Sequence, residues 1–173
     1  MPAPHEDFAE FYEASYRRVV AVVAAIVGDR HQAEDIAQEA FARALTRWPQ
    51  VGRYDQPEAW VRRVALRLTI DAGRRMRRAL ALSASLAASL AASQRGGEAP
   101  DPLASTALSA ALLRLPLPQR QAIVLYYLAD LPAEQIARDC EVSVSTVRTR
   151  LAAARHRLEH ELKEADQGVP DAR

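Results

Sequence analysis

One cysteine and one lysine are present among the 173 residues, and the sequence has no apolar run long enough to cross a membrane. The single cysteine, Cys140, excludes an intramolecular disulfide bond and any metal site built from several cysteines, and it fits a reducing cytoplasm. The apolar stretch from Val19 to Val27 stops at Gly28, well short of the roughly 20 residues of a membrane helix. The amino terminus has no basic segment followed by an apolar run, so no secretory signal is predicted. We therefore expect a cytoplasmic protein without membrane insertion.

The sequence also lacks the signatures of common enzymes. It has no glycine-rich phosphate loop, no nucleophile elbow and no cluster of histidines with carboxylates. His156 and His160 lie one helical turn apart, but no cysteine or carboxylate pattern of a known metal site accompanies them. We therefore predict a protein that is not an enzyme, with no catalytic residue, no metal and no cofactor.

Charge is nearly balanced over the whole chain but is unevenly distributed. The formal net charge is +1, so the total charge does not by itself indicate a nucleic-acid partner. Between Trp60 and Arg78, however, seven arginines stand against Asp71 alone. The chain therefore has a local basic band in an otherwise balanced sequence.

Residues 131–158 show the pattern of two helices joined by a turn. Pro132 and Glu134 suit the start of the first helix, and Ser143, after the turn at 141–143, suits the N-cap of the second. The apolar residues of the second helix recur at spacings of three and four, which predicts one buried face. They are Val144, Val147, Leu151, Ala154 and Leu158. The other faces carry arginines and small hydroxyl side chains, which suit base edges and phosphates in a major groove. We predict a helix-turn-helix, and a helical hairpin with a solvated basic face is the alternative.

Helical periodicity dominates the rest of the chain, and no alternating strand pattern appears. The predicted helices before the helix-turn-helix cover Glu6–Val27, Gln32–Arg47, Glu58–Arg78, Ala104–Arg114 and Gln119–Ala129. Residues 96–102 are rich in glycine and proline, which is typical of a flexible linker. We predict an all-α protein with two small helical domains joined by a flexible linker. Its divisions are a first domain at 1–79, the linker at 80–104, a helix-turn-helix domain at 105–165 and a polar tail at 166–173.

The second predicted helix has a polar face that a core helix does not require. Asp35 and Glu39 lie one turn apart with Gln38 beside them, which suits a basic partner. A face that is simply solvated would show the same pattern.

The third predicted helix carries its arginines beside its apolar face. Arg63, Arg67, Arg74 and Arg78 fall in one stripe, which matches a phosphate backbone. Trp60, at the helix start, has the chemistry to stack on an unpaired base. A place in the hydrophobic core is an equally good interpretation of Trp60.

Three segments of the sequence resemble bacterial sigma factors of the sigma-70 superfamily. AEDIAQEAFARAL, residues 33–45, resembles the segment that binds core RNA polymerase. AWVRRVALRLTIDAGRR, residues 59–75, resembles the segment that melts the promoter and reads its minus-ten element. Residues 115–158, which include LPLPQRQAIVLYYL, are similar to the domain that reads the minus-thirty-five element. The three occur in the family's order without room for the middle domain of larger sigma factors, which points to the extracytoplasmic-function (ECF) group.

The resemblance implies a transcription initiation factor that binds core RNA polymerase and promoter DNA, with an anti-sigma factor as a further partner. Together with the residue pattern, it predicts core-polymerase contacts at Asp35, Gln38 and Glu39. The predicted minus-ten contacts are Tyr54, Trp60, Arg62, Arg63, Arg67 and Arg74. The predicted minus-thirty-five contacts are Ser145, Thr146, Arg148, Thr149, Arg150, Arg155 and Arg157.

Two positions depart from the family pattern. Glu141 stands in the turn of the helix-turn-helix where relatives often have glycine, so the turn either avoids a positive φ there or tolerates strain. Arg67 stands where relatives commonly carry asparagine, which leaves the base preference at the minus-ten element open. The competing function is an autonomous operator-binding regulator, which would not need the acidic helix or the arginine helix.

Overall fold

A computed structural model describes residues 4–90 and 106–167, which form eight α-helices and no strand. The helices are α1 (Pro4–Val27), α2 (Arg30–Thr46), α3 (Trp48–Val51), α4 (Pro57–Leu90), α5 (Ala107–Arg114), α6 (Leu117–Tyr127), α7 (Ala133–Cys140) and α8 (Val144–Gln167). None of these described helices combines the length and the apolar character needed to cross a membrane. The all-α prediction is confirmed, whereas the glycine-rich segment 96–102 and most of the predicted tail lie outside the described residues.

Most helices lie within three residues of their predicted bounds, and the larger differences are at α4 and α3. α4 continues to Leu90 instead of ending near Arg78, because the alanines and leucines that follow are good helix formers. Residues 80–90 of the predicted linker are therefore helical. α3 is a single turn that was not predicted, between the predicted helices Gln32–Arg47 and Glu58–Arg78. Its proline lies in the first turn, where the missing N–H costs no helical hydrogen bond.

The first domain packs α1, α2 and α4 around one core, which an aromatic cluster extends to α3. Phe41 and Val61 are almost fully buried there. The ring of Trp48 lies 5.1 Å from that of Phe8 and 5.0 Å from that of Phe11, measured between centroids. Aromatic pairs at such separations stabilise a core beyond the area that they bury. Trp48 therefore fixes α3 and the loop after it against the amino-terminal helix.

The second domain builds its core partly from side chains of the first domain. Leu125, Ile136 and Val147 are fully buried at the centre of α5 to α8. Val22 and Ile26 of α1, with Leu66 of α4, belong to the same apolar cluster and complete its packing. The sequence predicted two domains on a tether and did not predict this packing, which we call the closed arrangement.

Two polar side chains of α6 reinforce the closed arrangement. Arg120 donates to the carbonyl of Ile26 at 2.6 Å and to those of Leu113 and Leu115 at 2.9 Å each. These carbonyls lie at the carboxyl ends of α1 and α5, where the last turn of a helix lacks its own donors. Partial burial lowers the pKa of Arg120 below its usual value. Gln121, which is buried, donates to the Thr69 hydroxyl on α4 at 3.0 Å.

Gly28 makes the turn from α1 to α2 and also touches the second domain. Its φ is +79°, which only glycine adopts without strain, and its N–H donates to the carbonyl of Ala24 at 2.8 Å. Asp29 follows as the N-cap of α2, its carboxylate accepting from the Gln32 N–H at 2.9 Å. A β-carbon on Gly28 would lie 2.4 Å from a methyl group of Leu113 on α5. The positive φ of the turn therefore requires glycine here, whereas the flexible Leu113 side chain would have to move aside for a β-carbon.

We expect Gly28→Ala to lower the free energy of unfolding by about 1–2 kcal/mol, because alanine is strained at this positive φ. Urea unfolding followed by circular dichroism measures the change. Gly73→Ala is the matched control, since Gly73 lies inside α4 and a β-carbon there would meet nothing closer than 3.8 Å. The control should stabilise the protein by up to about 1 kcal/mol. Equal effects of the two substitutions would contradict this account of Gly28.

Candidate functional site

α7, the turn at 141–143 and α8 form the predicted helix-turn-helix. The hydroxyl of Ser143 accepts from the Thr146 N–H at 3.1 Å, which confirms Ser143 as the N-cap of α8. Val147, Leu151 and Ala154 are buried, and Val144 and Leu158 pack partly buried against the same cluster. The predicted apolar face of α8 is therefore confirmed. α7 begins at Ala133, one residue later than predicted.

The turn places Glu141 in the left-handed region, with φ 56° and ψ 45°. Its N–H and that of Val142 both point to the carbonyl of Ala137, which closes the end of α7. A non-glycine residue in this region carries a conformational cost of roughly 1–2 kcal/mol. Of the two outcomes that the sequence allowed, the turn therefore takes the strained one.

The predicted minus-thirty-five residues lie on α8 with unequal exposure. Ser145, Arg148 and Thr149 are exposed on the first two turns, and Thr146 and Arg150 are half-buried. Farther along the helix, Arg155 and Arg157 are exposed. Arg148 has one acidic neighbour, with Nη2 3.6 Å from a carboxylate oxygen of Glu134 on α7. Ser145, Arg148 and Thr149 therefore face solvent at the start of α8.

Arg155 is held in place by two tyrosines at the end of α6. Its guanidinium carbon lies 5.4 Å from the Tyr126 ring centroid and 5.7 Å from that of Tyr127. Its Nε donates to the Tyr127 hydroxyl at 3.0 Å. These two tyrosines were not predicted, because an aromatic pair at a helix end does not reveal which side chain it will meet. The contacts orient Arg155 and leave Tyr127 63% exposed.

A basic groove of about 430 Å³ lies between α2 and α4. Trp60, Arg63 and Arg67 line one side, and Arg43 and Arg47 line the other. The Arg47 guanidinium carbon lies 5.9 Å from the Trp60 ring centroid. Arg43 and Arg47 were missed in the sequence, although their spacing of four residues places them on one face of α2.

Trp60 satisfies parts of both interpretations that the sequence left open. Its side chain packs against the first core, and it also lines the basic groove. Tyr54 lies in the loop before α4 and is 47% exposed.

The four predicted minus-ten arginines of α4, which we call its basic face, differ in what they contact. Arg62 is only 8% exposed, and its Nε donates to the buried carboxylate of Asp139 at 2.6 Å. Arg67 forms an exposed ion pair with Glu141. The other two arginines, Arg63 and Arg74, bond within their own helix, to the Ala59 carbonyl and the Asp71 carboxylate. Arg62 is therefore not accessible to DNA in the closed arrangement.

The predicted core-polymerase residues share an exposed face of α2. Asp35, Gln38 and Glu39 all point to solvent, and the Glu39 carboxylate accepts from Arg43 Nε at 2.8 Å. Asp35 and Glu39 also border a groove of about 500 Å³ between α2 and α4, with Leu68 and Met76 among its lining residues. Met76 is 55% exposed and was not predicted. A groove with apolar lining residues therefore lies beside the acidic face of α2.

Cys140, the last residue of α7, is half-buried against the second core. Burial raises the pKa of its thiol to about 11, and the neighbouring Asp139 carboxylate adds to that increase. Arg150 and Arg62 each lower the pKa by less than burial raises it. A thiol with this pKa is almost entirely protonated near neutral pH, so it behaves as a small core residue.

Family models match both domains of the chain. The model of Sigma-70 region 2 matches residues 11–79, and that of Sigma-70, region 4 matches residues 105–158. The ECF RNA polymerase sigma factor SigW of Bacillus subtilis (strain 168) is 28% identical over 167 residues, 91% of this chain and 89% of that protein. The ECF sigma factor SigM of the same organism is 28% identical over 151 residues, 86% of this chain and 91% of that protein.

A solved structure has the same fold. It is the sigma factor RpoE in complex with the anti-sigma factor NepR from Bartonella quintana, with a TM-score of 0.71 and 21% identity, covering 91% of this chain and 98% of that chain. From the two matching regions and these relatives, the chain belongs to the sigma-70 family of RNA polymerase sigma factors, in the ECF group. It is a transcription initiation factor and, like the rest of its family, not an enzyme.

We expect the Cys140 thiol to react slowly with iodoacetamide at pH 8 in the folded protein. The rise in pKa from 9.0 to about 11 reduces the thiolate fraction about 100-fold, and the thiolate is the nucleophile. Mass spectrometry of alkylation with and without urea measures the ratio. A cysteine introduced at the exposed Ala152, in a Cys140→Ser background, is the control and should react at an ordinary rate in both conditions. Equal rates for folded and unfolded Cys140 would refute the assignment.

Proposed function

We propose that the chain binds core RNA polymerase through Asp35, Gln38 and Glu39 and reads two promoter elements with its two domains. α4 engages the minus-ten element, and α8 engages the minus-thirty-five element. The observation that carries this proposal is the position of α8, whose N-terminal turns expose Ser145, Arg148 and Thr149 beyond the turn of a helix-turn-helix. A helix presented in this way fits the major groove.

The face of α2 suits a partner surface that is both basic and apolar. Asp35 and Glu39 supply negative charge, which steers and orients a basic partner. The groove beside them exposes Met76, and methionine is enriched where protein interfaces bury apolar side chains. A simply solvated face does not need an apolar groove along its edge.

The basic groove between α2 and α4 suits a melted DNA strand. Arg47 and Arg63 supply cationic groups for phosphates, and these contacts give a salt-dependent affinity that carries no sequence information. The half-buried Trp60 supplies an aromatic face on which an unpaired base can stack. Tyr54, in the exposed loop before α4, supplies a second ring within the same domain.

The arginines of α8 divide into two groups by position. Arg148 and Arg150 lie in the N-terminal turns with Ser145, Thr146 and Thr149, where a recognition helix approaches base edges. Arg155 and Arg157 lie farther along the helix, nearer to where phosphates pass. The stacking of Arg155 on Tyr126 and Tyr127 supports a fixed, positioning contact of this second kind.

An anti-sigma factor is a further partner in this proposal. The solved relative from Bartonella quintana is described in complex with one. In this chain a cleft of about 630 Å³ lies between α1 and α5, and Leu112, Leu113 and Leu128 contribute to its largely apolar lining. Co-purification from the native cell tests the partner, and recovery with polymerase alone under every condition would argue against it.

The autonomous operator-binding regulator receives less support. The match to Sigma-70 region 2 covers residues 11–79, most of the first domain, which such a regulator does not require. The two functions differ in one measurement, because a sigma factor shifts promoter DNA only together with core polymerase.

We expect charge reversal of the acidic face, Asp35→Lys with Glu39→Lys, to weaken binding to core polymerase at least tenfold, because like charges across an interface repel. A mobility-shift assay of promoter DNA with and without core polymerase, together with a direct binding measurement, checks this result. Glu10→Lys with Glu13→Lys is the matched control, since both residues are exposed on α1 and the net charge changes equally. Unchanged affinity of the Asp35 and Glu39 double variant for core polymerase would contradict the assignment of these residues to polymerase binding.

We expect Arg148→Ala to relax base preference at one minus-thirty-five position, at a cost of about 1–3 kcal/mol for the preferred base. Arg157→Ala should instead weaken all sequences alike, because phosphate contacts carry no base information. Selection of bound sites from a randomised minus-thirty-five element, with the holoenzyme, separates the two outcomes. If the parent, Arg148→Ala and Arg150→Ala select the same bases, α8 is not the helix that recognises the minus-thirty-five element.

A further inference from the structure

The carboxyl end of α6 exposes three large side chains in a row. Tyr126, Tyr127 and Leu128, which we call the α6 patch, are exposed directly after the fully buried Leu125. Single exposed apolar residues are normal on protein surfaces, whereas a contiguous apolar patch marks an interaction site. Both tyrosines contact Arg155. The α6 patch is therefore joined to α8, the helix that the proposed function places on DNA.

Arg155 lies on the same side of α8 as Arg148, which the proposed function assigns to base reading. The two arginines are seven residues apart, and seven residues of an α-helix complete two turns to within about 20°. Arg155 therefore faces the same DNA about 10 Å farther along the helix. Beyond its base-reading turns, a recognition helix passes the phosphate backbone.

The tyrosines hold Arg155 without cancelling its charge. Arg155 Nε donates to the Tyr127 hydroxyl at 3.0 Å, and the guanidinium carbon lies 5.4 Å and 5.7 Å from the two ring centroids. Arg148, by comparison, has a carboxylate partner in Glu134, whereas within the described part of the chain no carboxylate pairs with Arg155. A neutral partner fixes the guanidinium and leaves its full positive charge for an anion.

Both members of the Tyr127–Arg155 hydrogen bond keep donors to spare. A guanidinium has five N–H donors, and within residues 4–90 and 106–167 Arg155 uses only Nε. The Tyr127 phenol accepts that bond and has an O–H donor of its own, which bonds to none of the described residues. Because accepting a hydrogen bond from a cation polarises the phenol and strengthens its own donor, the O–H and the spare N–H groups suit a shared anion.

We propose that Arg155 and Tyr127 form a phosphate site, with Tyr126 as a positioning residue, which binds one backbone phosphate of the duplex beside the minus-thirty-five element. Arg155 supplies the charge, the Tyr127 hydroxyl supplies a further donor, and the two rings hold the guanidinium in place. This inference rests on the proposed function, since it assumes that α8 lies on that element. A phosphate held at a fixed place sets the register of α8 in the groove and reads no base.

Tyr127→Phe tests the hydroxyl alone, because phenylalanine keeps the ring beside Arg155 and removes only the O–H. Tyr126→Phe is the matched control, since it is the neighbouring tyrosine and its hydroxyl bonds to none of the residues that the structure describes. Arg155→Ala removes the cation. Combining Tyr127→Phe with Arg155→Ala completes a double-mutant cycle.

The affinity of the holoenzyme is measured on a promoter duplex whose minus-thirty-five element comes from selection. A set of these duplexes carries one uncharged methylphosphonate each, at successive positions of both strands around the element. A variant that has lost a contact to one phosphate is less sensitive than the parent to the methylphosphonate at that position and at no other. The affinity of each variant for core polymerase is measured in parallel.

We expect Tyr127→Phe to weaken binding about three- to tenfold for every base sequence, which is the range of one hydrogen bond. Its salt dependence should not change, because it removes no charge, whereas Arg155→Ala should lower the slope of log affinity against log salt by about one. Both variants should lose sensitivity at the same methylphosphonate. The loss from Tyr127→Phe should shrink in the Arg155→Ala background, and Tyr126→Phe should match the parent.

Tyr127→Phe with the affinity of the parent would overturn the proposal, and so would a loss that shares no single phosphate with Arg155→Ala. A weaker affinity of Tyr127→Phe for core polymerase would overturn it in favour of a protein partner for the α6 patch.

Arg148→Ala tests the underlying function separately. If this variant keeps the affinity and the base preference of the parent, the assignment of Arg148 to base reading fails, whatever the tyrosine variants do. If Arg148→Ala relaxes the base preference and Tyr127→Phe has no effect, the phosphate site alone fails.

Discussion

The buried ion pair between Arg62 and Asp139 is the contact on which the closed arrangement depends. A carboxylate with no exposed side-chain surface is tolerated only when it is paired and hydrogen-bonded. Asp139 meets this condition by accepting from Arg62 Nε at 2.6 Å and from Gln135 Nε2 at 2.8 Å. Because one partner lies on α4 and the other on α7, the requirement fixes one domain against the other. The apolar contacts of Val22, Ile26 and Leu66 are then made in register.

Local patterns in the sequence were sufficient to predict every described helix except α3, and to predict the buried face of α8. Spacings of three and four residues identified Val147 and Leu151 as core, and the N-cap at Ser143 followed from its chemistry, because these properties depend on a few neighbouring residues. The length of α4 was less clear, since an alanine- and serine-rich segment is compatible with both helix and linker.

Contacts between residues far apart in the chain could not be predicted from the sequence. Arg62 and Arg63 are neighbours of identical type, yet one is buried against Asp139 and the other faces a groove. Nothing in their local pattern separates them, because the difference is made by a partner 77 residues away. Arg43 and Arg47 were missed for a related reason, since only the packing of α2 against α4 brings them beside Trp60. The sequence therefore showed which helices carry the candidate surfaces. It did not show which of their side chains are exposed and which are already paired.

The left-handed turn at Glu141 links two properties that selection would otherwise adjust separately. A glycine there would relax the backbone and would also release Arg67, so a more stable turn and a looser association of the domains would arise from one change. A mutation that relaxes this turn therefore also removes a contact between the two domains. The reverse also holds: keeping a carboxylate at this position commits the chain to a permanently strained residue next to its recognition helix. The stability of the turn and the association of the domains are therefore not independent traits in this protein.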